Sequence, residues 1–189
     1  MSSKEELPLD EVAAAACEAI VGEIRITAKP NQIGSLLQSL KNVRDIVVVD
    51  VMADEIRICS TLPLSDVRSR ISGIMKRHRL DPNKNIKELN VKPTQINLLL
   101  ETLEGAKNIN VVIAFLARQV GRNVWDVRSA SRLFNVLSGM RDIEDARKVL
   151  GIFKWLFEAG EKKRDNLRRL QPGTPAKKGF YYEFIKACL

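Results

Sequence analysis

The spacing of apolar positions changes period several times within the first ninety residues. Glu23-Ile24-Arg25-Ile26-Thr27 and Glu55-Ile56-Arg57-Ile58-Cys59 alternate charged or polar with apolar at period two, the pattern of a half-buried strand. Between them, Ile33, Leu36, Leu37, Leu40 and Val43 recur at helical spacing and lead into the β-branched run Ile46–Val51. Val67, Ile71, Ile74 and Met75 line a second helix, and Ile86 to Val91 reads as a last strand before Pro93. Punctuation agrees with this reading. Gly22 and Pro30 bound the first strand, Met52-Ala53-Asp54 and Asp81-Pro82-Asn83 supply turns, and Asn31 and Ser65 are expected helix caps. An Ala-rich helix over Leu9–Val21 comes first, with Asp10 and Glu11 suited to its positive N-terminal end.

The resulting order, β-α-β-β-α-β, predicts an α+β fold whose N-terminal unit is ferredoxin-like, with one extra N-terminal helix. Right-handed crossovers place both helices on one face of a four-stranded sheet. The first and third strands are then central, with Ile24, Ile26, Ile56 and Ile58 toward the helices. Arg25, Thr27, Arg57 and Cys59 face the other way. The second strand falls at an edge, yet Val47, Val49 and Val51 alternate with Ile46 and Val48, so both of its faces are apolar. An exposed edge strand avoids that pattern, so the second unit, the N-terminal helix or a second copy of the chain is expected to cover it.

After Pro93 the pattern is helical throughout. Ile96, Leu99, Leu100 and Leu103 share one face, with Gly105 as a stop, and Ile109 to Val120 forms the next helix. Asp142 is an expected N-cap for a helix with the stripe Ile143, Ala146, Val149, Leu150, Phe153, Leu156, Phe157 and Gly160, with Trp155 to its side. The divisions expected are a ferredoxin-like unit over 1–92, an all-α unit over 94–170, and a linker with an aromatic, basic segment over 171–189. In that last segment Phe180, Phe184 and Ile185 favour a helix docked on the core over a strip of bases stacked on Tyr181 or Tyr182 beside Lys177 and Lys178.

Composition sharpens the division. The 189 residues carry 31 Lys+Arg and 23 Asp+Glu, net +8, but residues 1–60 alone are net −4 and the remainder net +12. All ten aromatic residues lie at or after Phe115. A basic region of this kind suits a polyanion, most often nucleic acid. Uninterrupted apolar runs are far shorter than the ~20 residues of a membrane span, and the acidic, polar start does not resemble a signal or transit peptide. Cys17, Cys59 and Cys188 are odd in number and scattered, which argues for a reducing, cytoplasmic setting over a disulfide framework.

The segment Leu116 to Ala130 resembles a helix-turn-helix. Ala117 is the small residue expected where a second helix crosses, Gly121 the turn residue, Val127 the residue that packs back, and Asn123 a cap. That second helix is expected to expose Arg128, Ser129 and Arg132 and to bury Val127, Leu133 and Phe134. The plain alternative is an ordinary helical hairpin. The RNA-recognition motif shares the N-terminal fold but stacks bases on aromatic residues of its two central strands, and this chain has none there.

Catalytic signatures are missing from the sequence. There is one histidine, His78, no phosphate-binding Gly-Lys-Ser/Thr loop and no nucleophile elbow. Asp50, Asp54 and Glu55 could gather a divalent cation, but they cross a tight turn where acidic residues are favoured anyway. The expectation is a non-enzymatic protein without cofactor or metal. It would bind DNA or RNA through Arg118, Arg122, Arg128, Arg132, Lys162, Lys163, Arg168 and Arg169. The alternative is an assembly subunit of a larger complex, a ribonucleoprotein among the candidates. Its contact would be with a second copy or another subunit, through strand 46–51 or the aromatic C-terminal segment.

Overall fold

The computed structural model describes residues 6–189 and is an α+β chain. Its elements are α1 (Leu9–Val21), β1 (Glu23–Thr27), α2 (Pro30–Lys41), β2 (Ile46–Val51), β3 (Glu55–Ser60), α3 (Leu64–Arg77), α4 (Pro82–Asn85) and β4 (Ile86–Leu89). The helical region follows with α5 (Pro93–Ala106), α6 (Ile109–Gly121), α7 (Val127–Ser138) and α8 (Ile143–Gly160), then a 3-10 turn at Glu161–Lys163, α9 (Arg164–Arg168) and α10 (Phe180–Cys188).

The chain divides into two compact units, and the division differs from the one drawn on composition. Gly22–Asn90 forms one, while the N-terminal segment through Val21 joins Val91–Leu189 in the other. Helix α1 therefore belongs with the helical region. It packs on α7, α8, α9 and α10, so the C-terminal segment is part of that unit rather than an appendage. The reason is in α1's composition. Val12, the four alanines 13–16, Cys17, Ala19 and Ile20 are all buried, and small side chains let a central helix be surrounded on most sides.

In the α/β unit the sheet is antiparallel with order β2-β3-β1-β4, which puts β1 and β3 in the centre and β2 at an edge. Ile24 lies opposite Ile58 and Ile26 opposite Ile56, and these four pack with Ile33, Leu36 and Leu40 of α2 and with Val67, Ile71 and Met75 of α3. The other face carries charge in register. Arg57 is buried with its Nε 2.7 Å from Glu55 Oε1 and its Nη1 3.8 Å from Glu23. Edge strand β2 leaves Val47 60% exposed and has a register irregularity between Val48 and Asp50 in its pairing with β3, a device that makes an edge a poorer template.

Several local expectations shift by a residue or a turn. Helix α2 begins at Pro30 with Lys29 as N-cap, so Asn31 lies inside it, and α3 begins at Leu64 after Pro63 rather than at a Ser65 cap. Pro30 suits the first position of α2, where the first helical turn has no use for its missing N–H, and Pro63 is the N-cap of α3. Gly105 lies within α5, which ends at Lys107 in the left-handed region (φ 51°). Asp142 does cap α8, accepting from Glu144 N at 2.9 Å. The aromatic tail docks: Phe180 and Phe184 are buried in the helical core.

Candidate nucleic-acid interface

The eight expected cationic contacts separate by exposure once placed. Arg118 and Arg122 are exposed at the C-terminal end of α6, one turn apart on one face. Lys162, Lys163 and Arg169 are exposed on the 3-10 turn and at the end of α9. Arg128 is half-buried.

Arg132 and Arg168 are not surface residues. Arg132 is 8% exposed, and its Nε donates to Glu18 Oε2 at 2.8 Å, its Nη1 to Glu11 Oε2 at 3.0 Å and its Nη2 to the Gly173 carbonyl. Burial alone would lower its pKa, but the Glu18 and Glu11 carboxylates outweigh that and the net direction is upward. Arg168 is equally buried, with Nε 3.8 Å from Asp165. Nothing near Arg132 in the chain signals this, because its partners lie 114 and 121 residues away on α1.

The helix-turn-helix expectation fails at the same place. Ala117 and Gly121 are exposed, and a Cβ at Gly121 would meet nothing within 4 Å, so no helix crosses there. Positive φ falls on Asn123 (59°), not on Gly121, and the N-cap of α7 is Asp126, whose Oδ2 accepts from Ser129 N at 2.7 Å. Ser129 is buried, taking a 2.7 Å hydrogen bond from Trp125 Nε1, and Trp125 stacks on Phe153 at 6.3 Å. The outward face of α7 is Ser131, Phe134, Asn135 and Ser138, with no cation, and Phe134 is open to solvent rather than buried. Capping and core packing have claimed the side chains a recognition helix would present.

The carboxylates at the β2–β3 turn do not converge either. Glu55 is buried against Arg57 and 3.8 Å from Arg25, and Asp50 Oδ1 accepts from Val51 N at 3.0 Å. No group of three or more metal-ligating side chains that could hold an ion occurs among the described residues. A groove of about 740 Å³ in the α/β unit lies at the start of α2 between Lys29, Asp54, Arg79 and Asn85. No helix among the described residues is long and apolar enough to cross a membrane.

Cations that the sequence sets off the apolar stripe of α3 form a further exposed face. Arg70, Lys76 and Arg77 on α3, and Arg79 just beyond it, are all exposed. The signal was the i, i+7 spacing of Arg70 and Arg77 opposite the stripe Val67, Ile71, Ile74, which sets them on one outer column.

Comparison with known proteins adds a short local likeness. GMP synthases (glutamine-hydrolyzing) of Xylella fastidiosa strains M23, Temecula1 and 9a5c are 39% identical over 64 residues, 33% of this chain. The chain spans 12% of the length of these curated relatives. No protein-family model and no solved structure matches the chain.

Proposed function

We propose that this is a non-enzymatic nucleic-acid-binding protein that acts through exposed cations of its helical unit. The observation that carries the reading is what becomes of the acidic groups of α1. By charge count the helical unit is only modestly basic, since residues 91–189 are net +8 and residues 1–21 net −4. The α1 carboxylates, however, are spent inside the fold. Glu18 is buried on Arg132, Glu11 bonds Arg132 and the Ala176 amide, and Asp10 accepts from the Gly179 and Tyr181 amides at 3.1 and 3.0 Å. Arg118, Arg122, Lys162, Lys163 and Arg169 stay at the surface, where cations contact phosphate. Fluorescence anisotropy of a labelled oligonucleotide tests this. The chain binds, and Arg118→Glu with Arg122→Glu weakens binding; absence of binding at low salt refutes the reading.

The strand order β2-β3-β1-β4, with α2 and α3 against one face, supports reading the α/β unit as ferredoxin-like. Its α3 cations give it the character of a second, weaker phosphate-contacting surface. A second reading, an assembly subunit, is favoured by Val47 on the edge of the sheet and by Tyr182, 76% exposed on α10. Size-exclusion with light scattering separates the two, since a clean monomer without a co-purifying partner counts against assembly.

A further inference from the structure

Among the two tryptophans, Trp125 is fully buried and Trp155 is 70% exposed on the outer column of α8. We infer that Trp155 is a base-stacking platform for single-stranded nucleic acid, an inference that rests on the nucleic-acid reading above and gives it a ligand form. The neighbours of Trp155 at i−4 and i+4 are small, with Ile152 and Glu158 at i−3 and i+3. Gly151 lies one turn before it and Ala159 one turn after, and a Cβ at Gly151 would meet nothing within 4 Å. The indole is therefore not walled in by its own helix.

Charge brackets it. Lys148, exposed, lies seven residues before Trp155, so it shares the column at about 10 Å. Lys162, also exposed, lies seven residues after it, where the chain continues through Glu161 with helical φ −52° and ψ −42°. Of the nearby acids, Glu158 lies 3.8 Å from Lys154 Nζ and Arg147 bonds Glu144 and Glu104, while Glu161 is exposed beside Lys162. A cation, an open aromatic face and a cation in line are the elements that hold a base and its flanking phosphates. A protein partner is served less well. A buried aromatic hot spot wants a surrounding ring of packable side chains, and here Ile152 is half-buried and the other flanks are glycine, alanine, glutamate and lysine.

The test is a titration of end-labelled oligothymidylate and oligouridylate of about 12 nucleotides, and of a blunt duplex of equal length, with the full chain, read by anisotropy of the label for every variant and also by tryptophan emission for the wild type. Trp155 is the exposed reporter, so stacking quenches its emission on binding single strands. Trp155→Ala lowers single-strand affinity about tenfold, Trp155→Phe restores most of it, and duplex affinity is unchanged. If Trp155→Ala binds single strands as tightly as the wild type, while Lys162→Glu with Lys163→Glu weakens binding, stacking is refuted and the nucleic-acid reading stands. If the wild type binds no oligonucleotide, both fall.

Discussion

Arg132 Nε donates to Glu18 Oε2 at 2.8 Å, a buried ion pair that joins α7 to α1 across 114 residues of sequence. Glu11 takes a second donor of the same guanidinium, and the Gly173 carbonyl a third. An arginine with three partners is a tie within the helical unit, unavailable to phosphate. Removing it strands Glu18 in the interior. Arg132→Ala is expected to cost about 3–5 kcal/mol, since a buried charge left without its partner is far worse than an absent pair. Thermal unfolding by circular dichroism reads the loss. The folded fraction should keep its oligonucleotide affinity, and a normal melting temperature with lost binding would contradict the assignment.

Gly160 lies where α8 passes between α1 and the tail. A methyl there would stand 2.6 Å from Ile20 Cδ1, 2.7 Å from Leu167 Cδ1 and 3.0 Å from Phe184 Cζ. Gly160→Ala gains roughly 1 kcal/mol of helix propensity but overpacks a core by about 1–3 kcal/mol, so a net loss of up to about 2 kcal/mol is expected. Gly151→Ala, on the open side of the same helix, should instead stabilise by up to about 1 kcal/mol. Urea midpoints of the two variants should therefore move in opposite directions.

Burial pushes the Cys17 thiol up from 9.0 to about 12, with the Glu18 carboxylate adding to the effect, and its Sγ donates to the Leu167 carbonyl at 3.5 Å. The native state thus holds a proton that the unfolded chain gives up near pH 9. Stability from this group is intact below pH 9 and is lost as pH rises toward about 12. At pH 8, a thiol reagent should label the half-buried Cys59 and Cys188 and leave Cys17 untouched until urea unfolds the chain. Mass spectrometry of the labelled protein decides it, and rapid native labelling of Cys17 would count against the packing of α1.

Local periodicity made most elements legible and tertiary partnership made the rest opaque. Leu9–Val21, Glu23–Thr27 and Ile46–Val51 could be bounded from the residues because glycine, proline and alternating or helical spacing act within a few positions. Where α1 would pack was hidden, since an alanine-rich helix fits a sheet unit or a bundle equally well. Arg132 looked like a surface donor for the same reason: nothing near it in sequence names Glu11 or Glu18. Ala117 and Gly121 show the converse. Their spacing matches a motif, but the match concerns a crossing that the fold does not make.

The salt dependence of oligonucleotide affinity tests the central claim most directly. Contacts by the five exposed cations Arg118, Arg122, Lys162, Lys163 and Arg169 predict a log–log slope against salt of about −3.5 for single strands. Replacing Lys162, Lys163 and Arg169 by glutamate should flatten that slope by about 2 while the chain stays folded. A slope near zero, or one that the triple substitution leaves unchanged, would contradict a nucleic-acid interface on the helical unit.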